Sequence, residues 1–345
     1  MQIKAPPDGS RRAGQVFSFP WRRIYGTVLD MELIREFKKL DKNDAALAGG
    51  KGASLGEMTQ AGIPVPPGFV LLAEAFEHFL AETDLGVEID STLHTVKHEE
   101  IHTVEKASEK IQSLILAAKM PTDIATAVKK EFKKLGAKFV AVRSSATAED
   151  SASAAWAGQL DTYLNTTEKD LLKNVQRCWA SLFTPRAVFY RFEKALHKTK
   201  ISVAVVVQKM VESEVSGIAF SVHPVTEDRN QLIIEAGFGL GEAIVSGQIT
   251  PDSYVVEKNP RRIIDANVST QERGLFRKSG GGNVWEDIPA SEGSSQKLSE
   301  TQILELSALI LHIEKHYGFP CDIEWAFESG KFYITQSRPI TTLKK

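Results

Sequence analysis

Near the end of the chain, Glu324, Gln336 and Arg338 place a carboxylate, an amide and a guanidinium in one short stretch. Residues 322–339 alternate apolar and polar on either side of Ser329-Gly330, the pattern of a two-stranded hairpin. Ile323, Trp325 and Phe327 then face a core, and Asp322 and Glu324 face away from it. A three-residue loop over 329–331 sets Glu328 against Phe332 and, counting back, Glu324 against Gln336 on one face. A two-residue loop sets Glu324 against Thr335 and sends Gln336 to the other side. The expected register is the first. Two oxygens meeting across a hairpin suit Mg²⁺, which keeps its other positions for phosphate and water. Arg338, expected just beyond the strand, could fork onto a phosphate. An ordinary half-buried hairpin with solvated charges would show the same alternation, so the rest of the chain decides.

Two further clusters carry cations. In Gly49-Gly50-Lys51-Gly52-Ala53-Ser54-Leu55-Gly56, the glycines let backbone approach a ligand and Lys51 can hold a phosphate as a point charge. It is not a P-loop, because Gly52 stands where Ser or Thr is required. Residues 138–145 form a buried strand ending in Arg143, Ser144 and Ser145, and residues 146–159 have the small, polar composition of a mobile flap. Arg143 at a strand end beside that flap is a phosphate ligand or a surface ion pair.

The elements that must hold these groups follow from periodicity. Leu33, Phe37 and Leu40 suit a first helix, and residues 61–70 a proline-stiffened turn entering a strand. Helical patterns fill 73–135 with a polar break over 83–102, and another helical stretch covers 171–197 with a core stripe of Val175, Cys178, Trp179, Leu182 and Phe183. The break contains His98-Glu99-Glu100-Ile101-His102, a match to the zinc-protease pattern that reads as a solvated helix face, lacking a third ligand and an enclosing pocket. Strands are expected at 160–165, 202–211, 217–221, 232–236, 253–257 and 262–268, a Gly-rich loop at 280–282 and a helix over 299–317. The strand at 202–211 is taken as the connection between lobes. Gly237-Phe238-Gly239-Leu240-Gly241-Glu242 lacks the glycine spacing of a dinucleotide fingerprint.

With 345 residues, 42% hydrophobic and 25% charged, the chain can bury two cores. A net charge of -2 gives no argument for a nucleic-acid or membrane partner, and no apolar run is long enough to span a bilayer. Cys178 and Cys321 have neither metal-site nor disulfide spacing, so free thiols in a reducing, cytoplasmic setting are expected. Residues 1–30, rich in Arg and Pro and without apolar periodicity, are expected as a disordered extension. A transit peptide, or a natural start at Met31, are the alternatives.

Four motifs in order resemble one family. The Gly49–Glu57 run, Val142-Arg143-Ser144-Ser145-Ala146-Thr147-Ala148-Glu149-Asp150, Ser216-Gly217-Ile218-Ala219-Phe220 and Gln336-Ser337-Arg338-Pro339-Ile340 look like the signatures of the ATP-binding domain of phosphoenolpyruvate synthase and pyruvate phosphate dikinase. Rifampicin phosphotransferase and the glucan, water dikinases share it. The resemblance implies an α+β, ATP-grasp fold, with an N-terminal lobe over 31–200 and a C-terminal lobe over 201–345 closing on ATP. It implies that Lys51, Arg143 and Arg338 contact phosphates, Gly158 and Thr162 belong to the covering flap and strand, Gln208 lies near the adenine, and Glu324 and Gln336 bind Mg²⁺. It also implies transfer of phosphate to a histidine on a separate carrier and from there to an acceptor domain. The carrier's Gly-Gly and Ser/Thr-His motif and the acceptor barrel are not found in this sequence. The expected role is the nucleotide module of a pyruvate, water dikinase-like system acting with a separate phosphohistidine carrier and an acceptor-domain protein. A different acceptor, as in a rifampicin phosphotransferase, and a non-catalytic ATP-binding protein are the alternatives.

Overall fold

The computed structural model describes residues 32–97, 99–147, 161–193, 202–341 and 343. The expected N-terminal extension, His98, Gly158 and most of the 146–159 flap lie outside them. The strands are β1 (Ile34–Glu36), β2 (Gly68–Leu71), β3 (Val140–Ala146), β4 (Thr162–Thr166), β5 (Val203–Lys209), β6 (Val215–Phe220), β7 (Gln231–Phe238), β8 (Asp252–Lys258), β9 (Arg261–Asn267), β10 (Arg273–Arg277), β11 (Asn283–Asp287), β12 (Cys321–Glu328) and β13 (Lys331–Pro339). The helices are α1 (Ala45–Gln60), α2 (Ala73–Glu82), α3 (Leu85–His94), α4 (Ile101–Ala117), α5 (Thr122–Leu135), α6 (Glu168–Ala180), α7 (Pro185–Glu193), the short α8 (Glu242–Val245) and α9 (Ala290–Gly293), and α10 (Glu300–Tyr317).

One sheet has the order β1-β2-β5-β3-β4 and another β13-β12-β6-β7-β8-β9, with β10 and β11 as a separate pair. Among the described residues every neighbouring pair of strands is antiparallel, in a mixed α+β fold. The first sheet is apolar on both faces. Val203, Val205 and Val207 enter a core with α2 and α4–α6, while Ala204 and Val206 enter a second core with α1, α10 and the second sheet. On β3, Val140, Val142 and Ala146 take the first core, which leaves Ala141, Arg143 and Ser145 on the opposite face. The period of two thus aims Arg143 at the second sheet. The strand expected at 202–211 is the middle one of its sheet, and a short link at 210–214 carries the chain into β6.

The expected first helix is not formed. Residues 34–36 pair with β2 as an edge strand and 37–39 make a single 3₁₀ turn, so Phe37 and Leu40 are buried by tertiary pairing. The expected polar break contains α3, because Leu85, Ile89 and Thr92 share one buried face over an otherwise polar helix. The helical stretch 171–197 is interrupted at 181–183, with Pro185 as the first residue of α7. The Gly280–Gly282 loop joins two strands that the sequence pattern did not reveal. His102 of the zinc-protease pattern is 76% exposed, and among the described residues no cluster of three or more His, Cys, Asp or Glu could hold a metal. No helix among them is long and apolar enough to cross a membrane. Both cysteines are free and buried, and burial pushes each thiol up to about 12.

Candidate functional site

The hairpin β12–β13 closes through a two-residue turn rather than the expected three-residue loop. Glu328 pairs with Lys331, and Ser329 and Gly330 both have positive φ (50° and 78°), the geometry of a type I′ turn. Continued regularly, this register would bring Thr335 opposite Glu324 and turn Gln336 toward the core. A bulge intervenes instead: Trp325 pairs with Ile334 but Glu324 with Gln336, so Thr335 is the extra residue. The bulge reverses the parity of β13, and Gln336 lands beside Glu324 on the face away from Trp325 and Phe332. The expected pair is formed, though by a different device.

Arg143 reaches this pair from β3. Its Nη2 donates to Gln336 Oε1 at 2.6 Å and to Glu324 Oε2 at 3.1 Å, and its Nη1 donates to the carbonyl of Thr335 at 2.8 Å. The bulge thus supplies one acceptor and orients another. Arg143 Nε is buried without a hydrogen-bond partner. Only 9% of the Arg143 side chain is exposed, against 26% of Glu324, so the cluster has one solvent-facing side.

Thr162 pairs with Arg143 across β3–β4, and Gln208 pairs with Ala141 across β3–β5. Arg143, Thr162, Gln208, Glu324 and Thr335 line one cavity, with Met210, Val211, Leu240, Val245 and Trp325 as its apolar wall. Sequence reasoning missed Thr335 and that wall. It gave no role to Glu242, which lines the cavity, where burial pushes its carboxyl up against the opposing hydrogen bond from Asn283 Nδ2 at 2.9 Å. The signal was the glycine run before it: Gly239 has φ 88°, and a Cβ there would lie 2.5 Å from the carbonyl of Leu275.

Lys51 and Arg338 do not line this cavity. Lys51 sits on α1 just after the Gly49 kink (φ 68°), where a Cβ would collide with Ser145. The Ser145 hydroxyl donates to the carbonyl of Ala48 and accepts from the amide of Gly52, tying the glycine run to the strand that carries Arg143. Ser54 Oγ donates to the carbonyl of Ser337, so α1 is also fixed to β13. Arg338 lies within β13, not beyond it, and opposes Asp322, with Nη2 and Nε 2.7 and 2.8 Å from Asp322 Oδ2. Burial pushes the Asp322 carboxyl up, and Arg338 opposes that shift.

The donor set fits a hard divalent cation: a carboxylate and an amide oxygen already converge on one cationic nitrogen, and the cavity beside them admits further oxygens. Among the described residues Arg143 and Lys209, both from the first sheet, are the cations that line the cavity and would face a polyanion there.

Comparison with known proteins identifies the family. The family model for the pyruvate phosphate dikinase AMP/ATP-binding domain matches residues 45–345. The chain is 45% identical to a probable phosphoenolpyruvate synthase of Methanocaldococcus jannaschii, covering 91% of this chain and 27% of that protein. It is 41% identical to the phosphoenolpyruvate synthase of Pyrococcus furiosus, covering 90% and 44%, and 39% identical to the rifampicin phosphotransferase of Bacillus subtilis, covering 90% and 36%. The chain therefore spans less than half the length of these curated relatives. The match over most of its residues establishes that the chain belongs to the pyruvate phosphate dikinase AMP/ATP-binding domain family.

Proposed function

We propose that the chain binds Mg²⁺-ATP between its two sheets and passes the β-phosphoryl group from it to a histidine on a separate carrier, releasing AMP and, with water taking the γ-phosphoryl, inorganic phosphate, as part of a pyruvate, water dikinase-like system. The observation that carries this reading is the reach of Arg143 from the first sheet onto the Glu324–Gln336 pair of the second, beside a cavity with an apolar wall. Glu324 and Gln336 would hold Mg²⁺, which supplies charge neutralisation on the triphosphate. Arg143, Lys51 and Arg338 would bind phosphate oxygens and stabilise charge on the group in transfer. Gln208 and Thr162 would line the nucleotide, and Gly158 would belong to a segment that covers it. In this reading lobes at 31–200 and 201–345 close on the nucleotide as in an ATP-grasp enzyme, preceded by an extension at 1–30.

The acceptor is decided by parts of the system that this stretch does not supply, since phosphoenolpyruvate synthases and a rifampicin phosphotransferase share it at similar identity. The test is incubation of the purified chain with Mg²⁺ and ATP labelled at the β-phosphate, with and without lysate of its host. Acid-labile label on a second polypeptide is the expected result and identifies the carrier. Nucleotide binding without transfer of label to any protein or small molecule would overturn the dikinase reading in favour of a binding-only protein.

A further inference from the structure

The same two oxygens are assigned to a divalent cation and engaged by a guanidinium. Arg143 Nη2 lies 2.6 Å from Gln336 Oε1 and 3.1 Å from Glu324 Oε2. A Mg²⁺ ion takes its ligands at about 2.0–2.1 Å, so it would fall in the volume that this nitrogen occupies. Two cations cannot share that pair, since their repulsion in a half-buried corner is weakly screened.

The guanidinium is held on the hairpin but not completed there. Nη1 is anchored by the carbonyl that the bulge at Thr335 presents, while Nε is buried with no partner. A buried N–H without an acceptor is a standing cost, and an anionic oxygen in the adjoining cavity would relieve it. Arg143 therefore has two competing sets of acceptors, the hairpin oxygens and a polyphosphate.

Building on the proposed function, we infer that Arg143 is a placeholder for the divalent cation, and that metal enters the Glu324–Gln336 pair only together with a polyphosphate that draws the guanidinium away. The exchange is a swap of partners. The polyphosphate takes Arg143, the freed carboxylate and amide oxygens take the metal, and the metal bridges back to the phosphates. Before the nucleotide arrives, the guanidinium neutralises Glu324, so the carboxylate does not repel the incoming anion. Metal alone must displace a guanidinium with no anion to receive it.

The test measures Mn²⁺ binding in the absence of nucleotide, by the electron paramagnetic resonance signal of free Mn²⁺. Wild type is expected to bind Mn²⁺ about tenfold or more weakly than Arg143→Met, the scale of one charge-assisted hydrogen bond that the metal must replace. Adding Glu324→Gln to Arg143→Met should remove the gain, which locates the metal at this pair. Arg143→Lys, whose compact ammonium cannot fork over three acceptors, should fall between wild type and Arg143→Met. It carries the comparison if the methionine variant does not fold. Equal Mn²⁺ affinity in wild type and a folded Arg143 variant would overturn the placeholder. Titration of wild type with Mg²⁺ and a non-hydrolysable ATP analogue separates the two ideas. Binding there with equal Mn²⁺ affinities removes the placeholder alone, and absence of binding removes the nucleotide reading on which it rests.

Discussion

Lys297 and Arg143 are both cations tucked beneath the surface among oxygens, yet their surroundings differ in one respect that separates structure from chemistry. Lys297 meets Asp252 at 2.9 Å with neither side chain exposed, and its ammonium also donates to the carbonyls of Ser269 and Gly293. Asp252 in turn accepts from the Tyr254 hydroxyl and the amides of Ser269 and Lys297. Every donor of the ammonium is used. Arg143 leaves Nε unpartnered and lies against a cavity. The closed cluster joins β8 to the loops before α10, and a ligand could add nothing to it. The open cluster has an unused donor directed by a strand whose opposite face is fully packed. The contrast teaches that burial and charge alone do not mark a site; incomplete satisfaction beside open space does.

The largest expected effect breaks the closed cluster. Lys297→Met strands Asp252 in the interior and should lower stability by about 3–5 kcal/mol, read as a fall in the urea midpoint. Nucleotide affinity of the protein that remains folded should not change. Arg143→Met should show the reverse: a smaller stability loss of about 1–3 kcal/mol, since Glu324 can turn to solvent while Gln336 loses its donor, but phosphoryl transfer lowered by about 10²–10³-fold. Equal stability losses in the two variants would erase the distinction.

Gly330→Val sharpens the comparison at the turn. Nothing lies within 4 Å of a Cβ there, so the loss is that of the positive φ alone, about 1–3 kcal/mol by thermal unfolding. Because the turn and the bulge together set the register of Glu324 and Gln336, affinity for Mg²⁺ with nucleotide should fall as well. The smallest effect lies far from both clusters. Lys134 and Lys38 hold the Glu36 carboxyl down from its ordinary 4.5 to about 2. A carboxyl depressed by folding stabilises above its unfolded value and loses that contribution as pH falls toward about 2. Glu36→Gln should flatten that slope slightly in acid-unfolding curves, by little because the group is near the surface.

The period of two was legible in the sequence and did most of the positioning. It set Ile323, Trp325 and Phe327 inward and Glu324 outward, and it marked 138–145 and 202–211 as buried strands. The bulge was not legible, because nothing in Ile334-Thr335-Gln336 distinguishes a regular strand from one with an extra residue. Its carbonyl has a partner 192 positions away in sequence, and such pairing is a property of the packed sheets. Residues 33–40 show the opposite failure: a helical spacing was present, and edge pairing with β2 overrode it. Glu242 was obscured because its glycines were weighed against one known fingerprint and not as a turn that delivers a carboxylate to a cavity.

Whether the Glu324–Gln336 pair meets a metal-bound nucleotide at this cavity is tested most directly by calorimetric titration. Wild type and Glu324→Gln are titrated with a non-hydrolysable ATP analogue, with and without Mg²⁺. Mg²⁺ is expected to tighten binding to wild type, and Glu324→Gln, which keeps shape but loses charge, to abolish most of that tightening. Undiminished Mg²⁺ dependence in Glu324→Gln, or no binding to wild type, would mean that the pair does not meet a metal-bound nucleotide there.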